Sequence, residues 1–164
     1  MEPDNRNAYS YKAVKRWSRE IKSTKGNLFG LDKVFIPVNI GSTHWCLAVA
    51  FIKQKKLQYY DSMGGSGTQY LEALKRYLKD ELMALRKERK LTDEQMEVND
   101  VDKWEVVEGS RSTPQQNNKN DCGVFSCTTA NYLDLDLDLS FSAKHMDNFR
   151  RRMTLELLDK KLMG

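Results

Sequence analysis

A chain of 164 residues, 40% hydrophobic and 30% charged, has the size and composition of one globular domain with a buried core. Its longest apolar run, Trp45–Ile52, is too short to span a bilayer, and the opening MEPDNRNAYS lacks the apolar stretch of a secretory signal. The 27 basic and 23 acidic side chains leave a net charge of +4, a mild excess; without a phosphate-binding loop or zinc-finger spacing it predicts no nucleic-acid partner.

Residues 1–10 read as a disordered tail and 11–164 as a single domain. The segment YSYKAVKRWSREI (9–21) spaces Tyr11, Val14, Trp17 and Ile21 for a helix. Gly26 and Gly30 punctuate a turn, and KVFIPVNI (33–40) follows as a strand, with Pro37 restricting it to a sheet edge or a break in the ladder. His44–Ile52 reads as a buried strand and LQYYDS (57–62) as a third, closed by MGGSG. Short turns join the three as an antiparallel meander. Thr68–Lys90 is the clearest helix, with Leu71, Leu74, Leu78, Leu82 and Leu85 forming one apolar stripe. LTDEQMEVNDVDK (91–103) reads as a polar connection and WEVVEG (104–109) as a short strand. After a polar loop a helix is predicted over 122–133. LDLDLDL (133–139) alternates at period two and fits either a short strand or an extended loop. Ser142 suits the N-cap of a final helix that turns Met146, Phe149, Met153 and Leu157 inward. RKERK (86–90) and FRRRM (149–153) read as solvated helix faces.

PQQNNKNDCGVFSC (114–127) sets Cys122 at a boundary, after the polar residues 115–121 and before an apolar helical run. A cysteine placed for packing sits among apolar neighbours, whereas a helix N-terminus stabilises a thiolate, so Cys122 is the candidate nucleophile. Cys46 and Cys127 read as core thiols. Three cysteines without a CxxC pair form no zinc pattern, and all three are expected to be reduced. No metal or other cofactor is expected. A nucleophilic cysteine needs a base and a group that orients the base. Of the two histidines, His145 lies in the final helix, where a surface role fits; His44 opens the buried strand at the end of the sheet. Pairing of the strands 44–52 and 56–61 makes Asp61 its cross-strand neighbour, an arrangement that fixes an imidazole tautomer. An amide of Gln115 or Gln116 is positioned to join the Cys122 backbone N–H as an oxyanion hole. Gly123 allows a tight turn into the helix. Taken singly, each of these residues also fits an ordinary strand-end or loop role.

HWCLAVAFIKQKKLQYYDSMGG (44–65) and PQQNNKNDCGVF (114–125) resemble the SUMO-specific cysteine proteases, the sentrin-specific or Ulp-type group. The order His, Asp, Cys, with a Gln six residues before the Cys, is that group's order; papain-type proteases run Cys, His, Asn. The resemblance extends from YKAVKRW (11–17) through FRRRM to the C-terminus. It implies an α+β fold of the papain-like superfamily, with a central, mostly antiparallel sheet flanked by helices. It also implies cleavage after the C-terminal Gly-Gly of SUMO, maturing precursors or freeing SUMO from lysine isopeptide bonds. Cys122 is then the nucleophile, His44 the general base, Asp61 its orienting carboxylate and Gln116 the oxyanion donor. Trp45 covers a tunnel so narrow that only glycine, lacking a Cβ, threads it. The implied partners are SUMO and SUMO-conjugated proteins, engaged by a monomer in the nucleus or cytoplasm, with the nucleus favoured. The N-terminal portion that family domains carry, with its WLND-like motif, has no match ahead of Tyr11, so the domain is expected to be N-terminally short. Two alternatives remain open: a protease for another ubiquitin-like modifier, and a truncated, non-catalytic module that binds one.

Overall fold

A strand as uniformly apolar as WCLAVAFI must be covered on both faces. A computed structural model, which describes residues 9–109 and 113–163, has that arrangement. Strands β1 (Lys33–Ile40), β2 (His44–Phe51) and β3 (Lys56–Tyr60) form the expected antiparallel meander. β4 (Glu105–Val107) joins β3 in parallel, giving the order β1-β2-β3-β4. Among the described residues the sheet is flanked by α1 (Tyr11–Val14), α2 (Thr68–Lys87), α3 (Asp93–Val98), α4 (Cys122–Asp134) and α5 (Met146–Asp159). The fold is α+β, as expected, with one parallel pair in an otherwise antiparallel sheet. Pro37 lies in the edge strand β1, where a missing N–H is tolerated.

β2 divides the core. Cys46, Ala48, Ala50 and Ile52 face one way and are covered by Leu71, Leu74 and Leu78 of α2. Leu47, Val49 and Phe51 face the other way, against Ala130 and Leu133 of α4. Val124 and Phe125 of α4 pack on Phe141 and on Met146 of α5. Each such aliphatic or aromatic side chain, fully buried, contributes about 1.5–3 kcal/mol relative to an exposed one. The strand that carries His44 is therefore held by buried apolar contacts on both of its faces.

All five leucines of the α2 stripe are buried. Glu81 is buried in the same stripe, where its carboxylate accepts hydrogen bonds from the hydroxyls of Tyr11 (2.8 Å) and Ser18. That bond draws Ser18 inward and helps explain why the expected helix over 9–21 is only one turn, Tyr11–Val14. Beyond Val14 the chain continues through i→i−3 bonds, Trp17 N–H to Val14 O and Ile21 N–H to Ser18 O. Trp17, expected on the inner face, is 60% exposed. α2 stops at Lys87 rather than Lys90 because Arg89 takes a left-handed φ of 55° and Lys90 N–H closes on Leu85 O. The connection at 91–103 contains α3, opened by a capping box between Thr92 and Gln95. The LDLDLDL run is no strand: α4 ends at Asp134, Asp136 takes a φ of 54°, and Leu135 and Leu137 are exposed. In α5 Met146 is buried and Phe149 and Met153 pack inward, but Leu157 is 79% exposed. Most of the expected N-terminal tail, residues 1–8, lies outside the described residues; Tyr9 donates its hydroxyl to Asp80 at 2.7 Å.

Candidate active site

β2 starts at His44 and β3 ends one residue before Asp61, so both residues stand at the same end of the sheet. With Leu47 opposite Tyr60, the register brings Asp61 opposite Cys46, and His44 reaches it on the diagonal. His44 Nε2 lies 2.7 Å from Asp61 Oδ1. Asp61 is only 4% exposed, and two backbone donors already orient its carboxylate. Met63 N–H donates to Oδ1 at 2.7 Å and Gly65 N–H to Oδ2 at 3.0 Å. The DSMGG turn thus builds a socket for the carboxylate, and Gly65 is glycine for a reason. A Cβ there would stand 2.6 Å from Asp61 Oδ2. An ionised carboxylate only accepts, so His44 donates from Nε2 and keeps the Nδ1 lone pair.

Cys122 is the first residue of α4 and is buried. The first N–H groups of a helix have no acceptor within it, so the Cys122 amide is available to an anion. The helix is anchored at both ends of this turn. Ser126 Oγ donates to the Trp45 carbonyl at 3.1 Å, fastening α4 to the start of β2. Asp121, just before the cysteine, accepts from Asn118 Nδ2 at 2.6 Å and from Arg150 of α5 at 2.6 and 3.2 Å. The Arg150 guanidinium first, then the Asn118 amide, hold the Asp121 carboxyl below the usual carboxylate range. A groove of about 840 Å³ opens over this turn, lined by Cys122, Gly123, Trp45, Pro37, Leu47 and Arg150 among others. His44 and Asp61 are not part of its lining.

Gln116 packs beside the Asp61 turn. Its amide oxygen accepts from Ser62 Oγ at 2.6 Å, its backbone N–H donates to Ser62 O at 2.9 Å, and its side-chain NH₂ donates to Asn118 O. One of the two amide protons remains beyond that bond. Gln115 instead spends its amide on Asp61 O and Thr113 O. His145 accepts at Nδ1 from Ser142 N–H at 3.0 Å in a capping box, so Ser142 caps the short 3-10 turn Ala143–His145 ahead of α5 rather than α5 itself, whose N-cap is His145.

Two sequence expectations change. Gly123 has no positive φ, and a Cβ there would meet Trp45 Cδ1 at an ordinary 3.8 Å, so the backbone does not demand glycine. Cys127 is exposed rather than buried in the core, because it lines the same groove as Cys122, although partial desolvation still raises its thiol. Cys46 is fully buried, and burial above all pushes its thiol up to about 12. His44, Cys46 and Asp61 have donor atoms within 4.8 Å of one another. They suit a metal poorly: the cysteine resists the deprotonation that ligation requires, and His44 and Asp61 already engage each other. Sequence reasoning missed Ser62, Gly65, Asn118, Ser126 and Arg150. Only Gly65, in a Gly-Gly turn directly after the Asp, carried a local signal.

A family description, the Ulp1 protease family C-terminal catalytic domain, matches residues 2–162. A sentrin-specific protease of Caenorhabditis elegans is 33% identical over 154 residues, covering 94% of this chain and 20% of that protein. Sentrin-specific protease 2 of Rattus norvegicus is 35% identical over 153 residues, covering 93% and 24%. Ubiquitin-like-specific protease 1A of Arabidopsis thaliana is 37% identical over 154 residues, covering 93% and 28%. This chain therefore matches only a fifth to under a third of the length of these relatives. Among solved structures, the C-terminal Ulp1 protease domain in complex with Smt3, the yeast ortholog of SUMO, superposes with a TM-score of 0.69 at 26% identity. The match covers 91% of this chain and 61% of that one. The Ulp1-like SUMO protease catalytic domain of Chaetomium thermophilum gives a TM-score of 0.72 at 26% identity, covering 94% and 56%.

Proposed function

The chain belongs to the Ulp1 protease family, and from that premise we propose that it is a cysteine protease cleaving after the C-terminal Gly-Gly of SUMO. It matures precursors, releases SUMO from lysine isopeptide bonds, or does both. The observation that carries this reading is the partly buried 2.7 Å contact of His44 Nε2 with Asp61 Oδ1, at the sheet end to which α4 and Cys122 are fastened.

His44 takes the Cys122 proton at Nδ1, and Asp61 stabilises the imidazolium through Nε2–H. The thiolate attacks the carbonyl carbon of the last glycine. The resulting oxyanion is met by the Cys122 amide and by the spare amide proton of Gln116, whose carbonyl end Ser62 holds. The imidazolium then protonates the departing amine, the lysine Nζ in a conjugate or an α-amine in a precursor. Water, deprotonated by His44, hydrolyses the thioester. Trp45, 44% exposed on the groove wall, covers the Gly-Gly tail and rejects residues with a Cβ. Positioned acid–base catalysis supplies on the order of 10²–10⁴-fold and an oxyanion donor on the order of 10²–10³-fold. SUMO and its conjugates are the partners, met by a monomer in the nucleus or cytoplasm.

The test uses the recombinant chain and a SUMO bearing a C-terminal thiol-reactive electrophile, with adducts read by mass spectrometry. The expected result is an adduct on Cys122 that Cys122→Ala abolishes and that a matched ubiquitin probe does not form. An adduct with another ubiquitin-like probe instead would reassign the substrate. SUMO binding by folded protein without any adduct would leave a binding module.

A further inference from the structure

The mild net charge of the whole chain hides a sharp division. Residues 12–25 carry Lys12, Lys15, Arg16, Arg19, Lys22 and Lys25 against Glu20 alone. Residues 86–90 carry Arg86, Lys87, Arg89 and Lys90 against Glu88 alone. Ten of the 27 basic side chains, but two of the 23 acidic ones, lie in these stretches, so the rest of the chain is net acidic.

The fold brings the two stretches to one corner. Ser18 is drawn onto Glu81 of α2, and Arg19 then reaches Glu88 at 3.4 Å. The chain doubles back after Arg19. Gly26 N–H bonds Ile21 O, and Gly26 lies so close to Arg19 that a Cβ would sit 3.5 Å from its Cα, which returns Lys22 and Lys25 to the same corner. Except for the half-buried Lys15, all ten basic side chains are exposed. Glu88 is shared by Arg19 and Lys90, and Asp93 takes Arg86. Lys22, Lys25, Lys87 and Arg89 have no ion pair among the described residues. Trp17, in the same N-terminal stretch as Lys22 and Lys25, leans on Tyr77 with ring centroids 5.7 Å apart, borders Ile21 and Leu74, and is 60% exposed. The corner is on the α2 side of the sheet, whereas Cys122 belongs to α4 on the other side.

We propose that this corner binds single-stranded nucleic acid, with the phosphates on Lys22, Lys25, Lys87 and Arg89 and a base stacked on Trp17. Closely spaced cations match a phosphodiester backbone, and an exposed indole supplies the sequence-tolerant stacking of about 1–3 kcal/mol per base that such sites use. Neither stretch exposes a second large apolar side chain, which argues against insertion into lipid. An acidic peptide would satisfy the cations and leave the indole uncovered. The expectation of no nucleic-acid partner rested on the mild net charge and on the lack of a nucleic-acid motif; the three-dimensional arrangement bears on the first ground, by gathering the charge at one corner.

The experiment titrates a short, labelled, mixed-sequence single-stranded RNA with the recombinant chain and follows fluorescence anisotropy. Saturable binding is expected, weakening with salt at a log–log slope of about −3 for four neutralised phosphates. Lys22→Glu/Lys25→Glu/Arg89→Glu should lower affinity at least tenfold, about one factor of 1.4 kcal/mol. Trp17→Leu, checked for folding by its thermal melt, should weaken binding and leave the salt slope unchanged. Labelling by the SUMO probe should be untouched by the triple reversal, so a failure here is distinct from a failure of the protease reading. Absent saturable binding, equal binding by the triple variant, or tighter capture by phosphatidylserine vesicles or oligoglutamate than by RNA would each overturn the proposal.

Discussion

Replacing Gly65 by alanine probes the site through a residue that takes no part in the chemistry. The new Cβ would begin 2.6 Å from Asp61 Oδ2, where ordinary contact starts at 3.4 Å, so the carboxylate must retreat by about 0.8 Å. It has little room to do so, because Oδ1 is held at 2.7 Å by both His44 Nε2 and Met63 N–H. The retreat weakens one charge-assisted hydrogen bond, about 1.5–3 kcal/mol, and alanine returns about 0.4–1 kcal/mol by restricting the unfolded chain. The net loss is about 1–2 kcal/mol, which leaves most of the protein folded. The imidazole, however, moves with its carboxylate, and a displacement near 1 Å costs on the order of 10²-fold in rate. The assay is kcat/KM on a fluorogenic SUMO C-terminal amide, paired with a denaturant melt. Gly64→Ala serves as the control. Its φ of 75° makes a side chain costly to the fold, but its Cβ would meet Gln115 Oε1 at 3.3 Å and not Asp61. A folded Gly65→Ala protein within threefold of wild type, or equal rate losses in the two variants, would refute the claim that the turn holds Asp61 and Asp61 holds His44.

Gly67→Ala puts a Cβ 2.1 Å from the buried Tyr59 ring, so it should destabilise by more than about 3 kcal/mol and raise the insoluble fraction on expression. Arg150→Met strips Asp121 of its cation. Because the folded carboxyl is held low, its stabilisation is complete above about pH 4 and is lost as pH falls through the depressed folded value. Wild type should therefore exceed Arg150→Met by about 1–2 kcal/mol in urea melts at neutral pH, a gap that closes below about pH 4. Cys46, with its thiol pushed up to about 12 and no exposure, should escape iodoacetamide at about pH 8 until the protein is unfolded, whereas exposed Cys127 should be modified slowly in the native state. Peptide mapping by mass spectrometry reads both.

The meander, the α2 stripe and the boundary at Cys122 were legible because each is written in local spacing: alternation or continuous apolarity for strands, 3.6-residue periodicity for α2, polar-to-apolar transition for α4. What was not legible depends on partners far along the chain. The 9–21 segment has helical spacing, but Ser18 is claimed by Glu81, 63 residues away, and Trp17 is left in solvent. Arg150, read as one of three arginines on a polar face, is distinguished from Arg151 only by Asp121 across the α4–α5 contact. The Thr92–Gln95 capping box is the exception, a local signal in TDEQ that the polar composition of 91–103 masked.

The dipeptide His44-Trp45 explains why the candidate site can exist at this sheet end at all. Consecutive strand residues point to opposite faces. His44 therefore shares a face with Cys46 and meets Asp61, while Trp45 shares the other with Leu47 and lines the groove beside Cys122. One strand start thus carries the proposed base on one face and the groove wall on the other, and its Trp45 carbonyl accepts from Ser126 of α4, the helix that begins with the proposed nucleophile. A slip of one residue would exchange the two roles and break the arrangement entirely. One feature of the chain forbids that slip. Gly41 and Ser42, at φ 56° and 59°, make the tight left-handed turn that sets Ile40 opposite His44. Beyond it, the apolar run of β2 is buried on both faces, so its packing alone does not choose a register; the turn does, and with it the identity of the residue that faces Asp61.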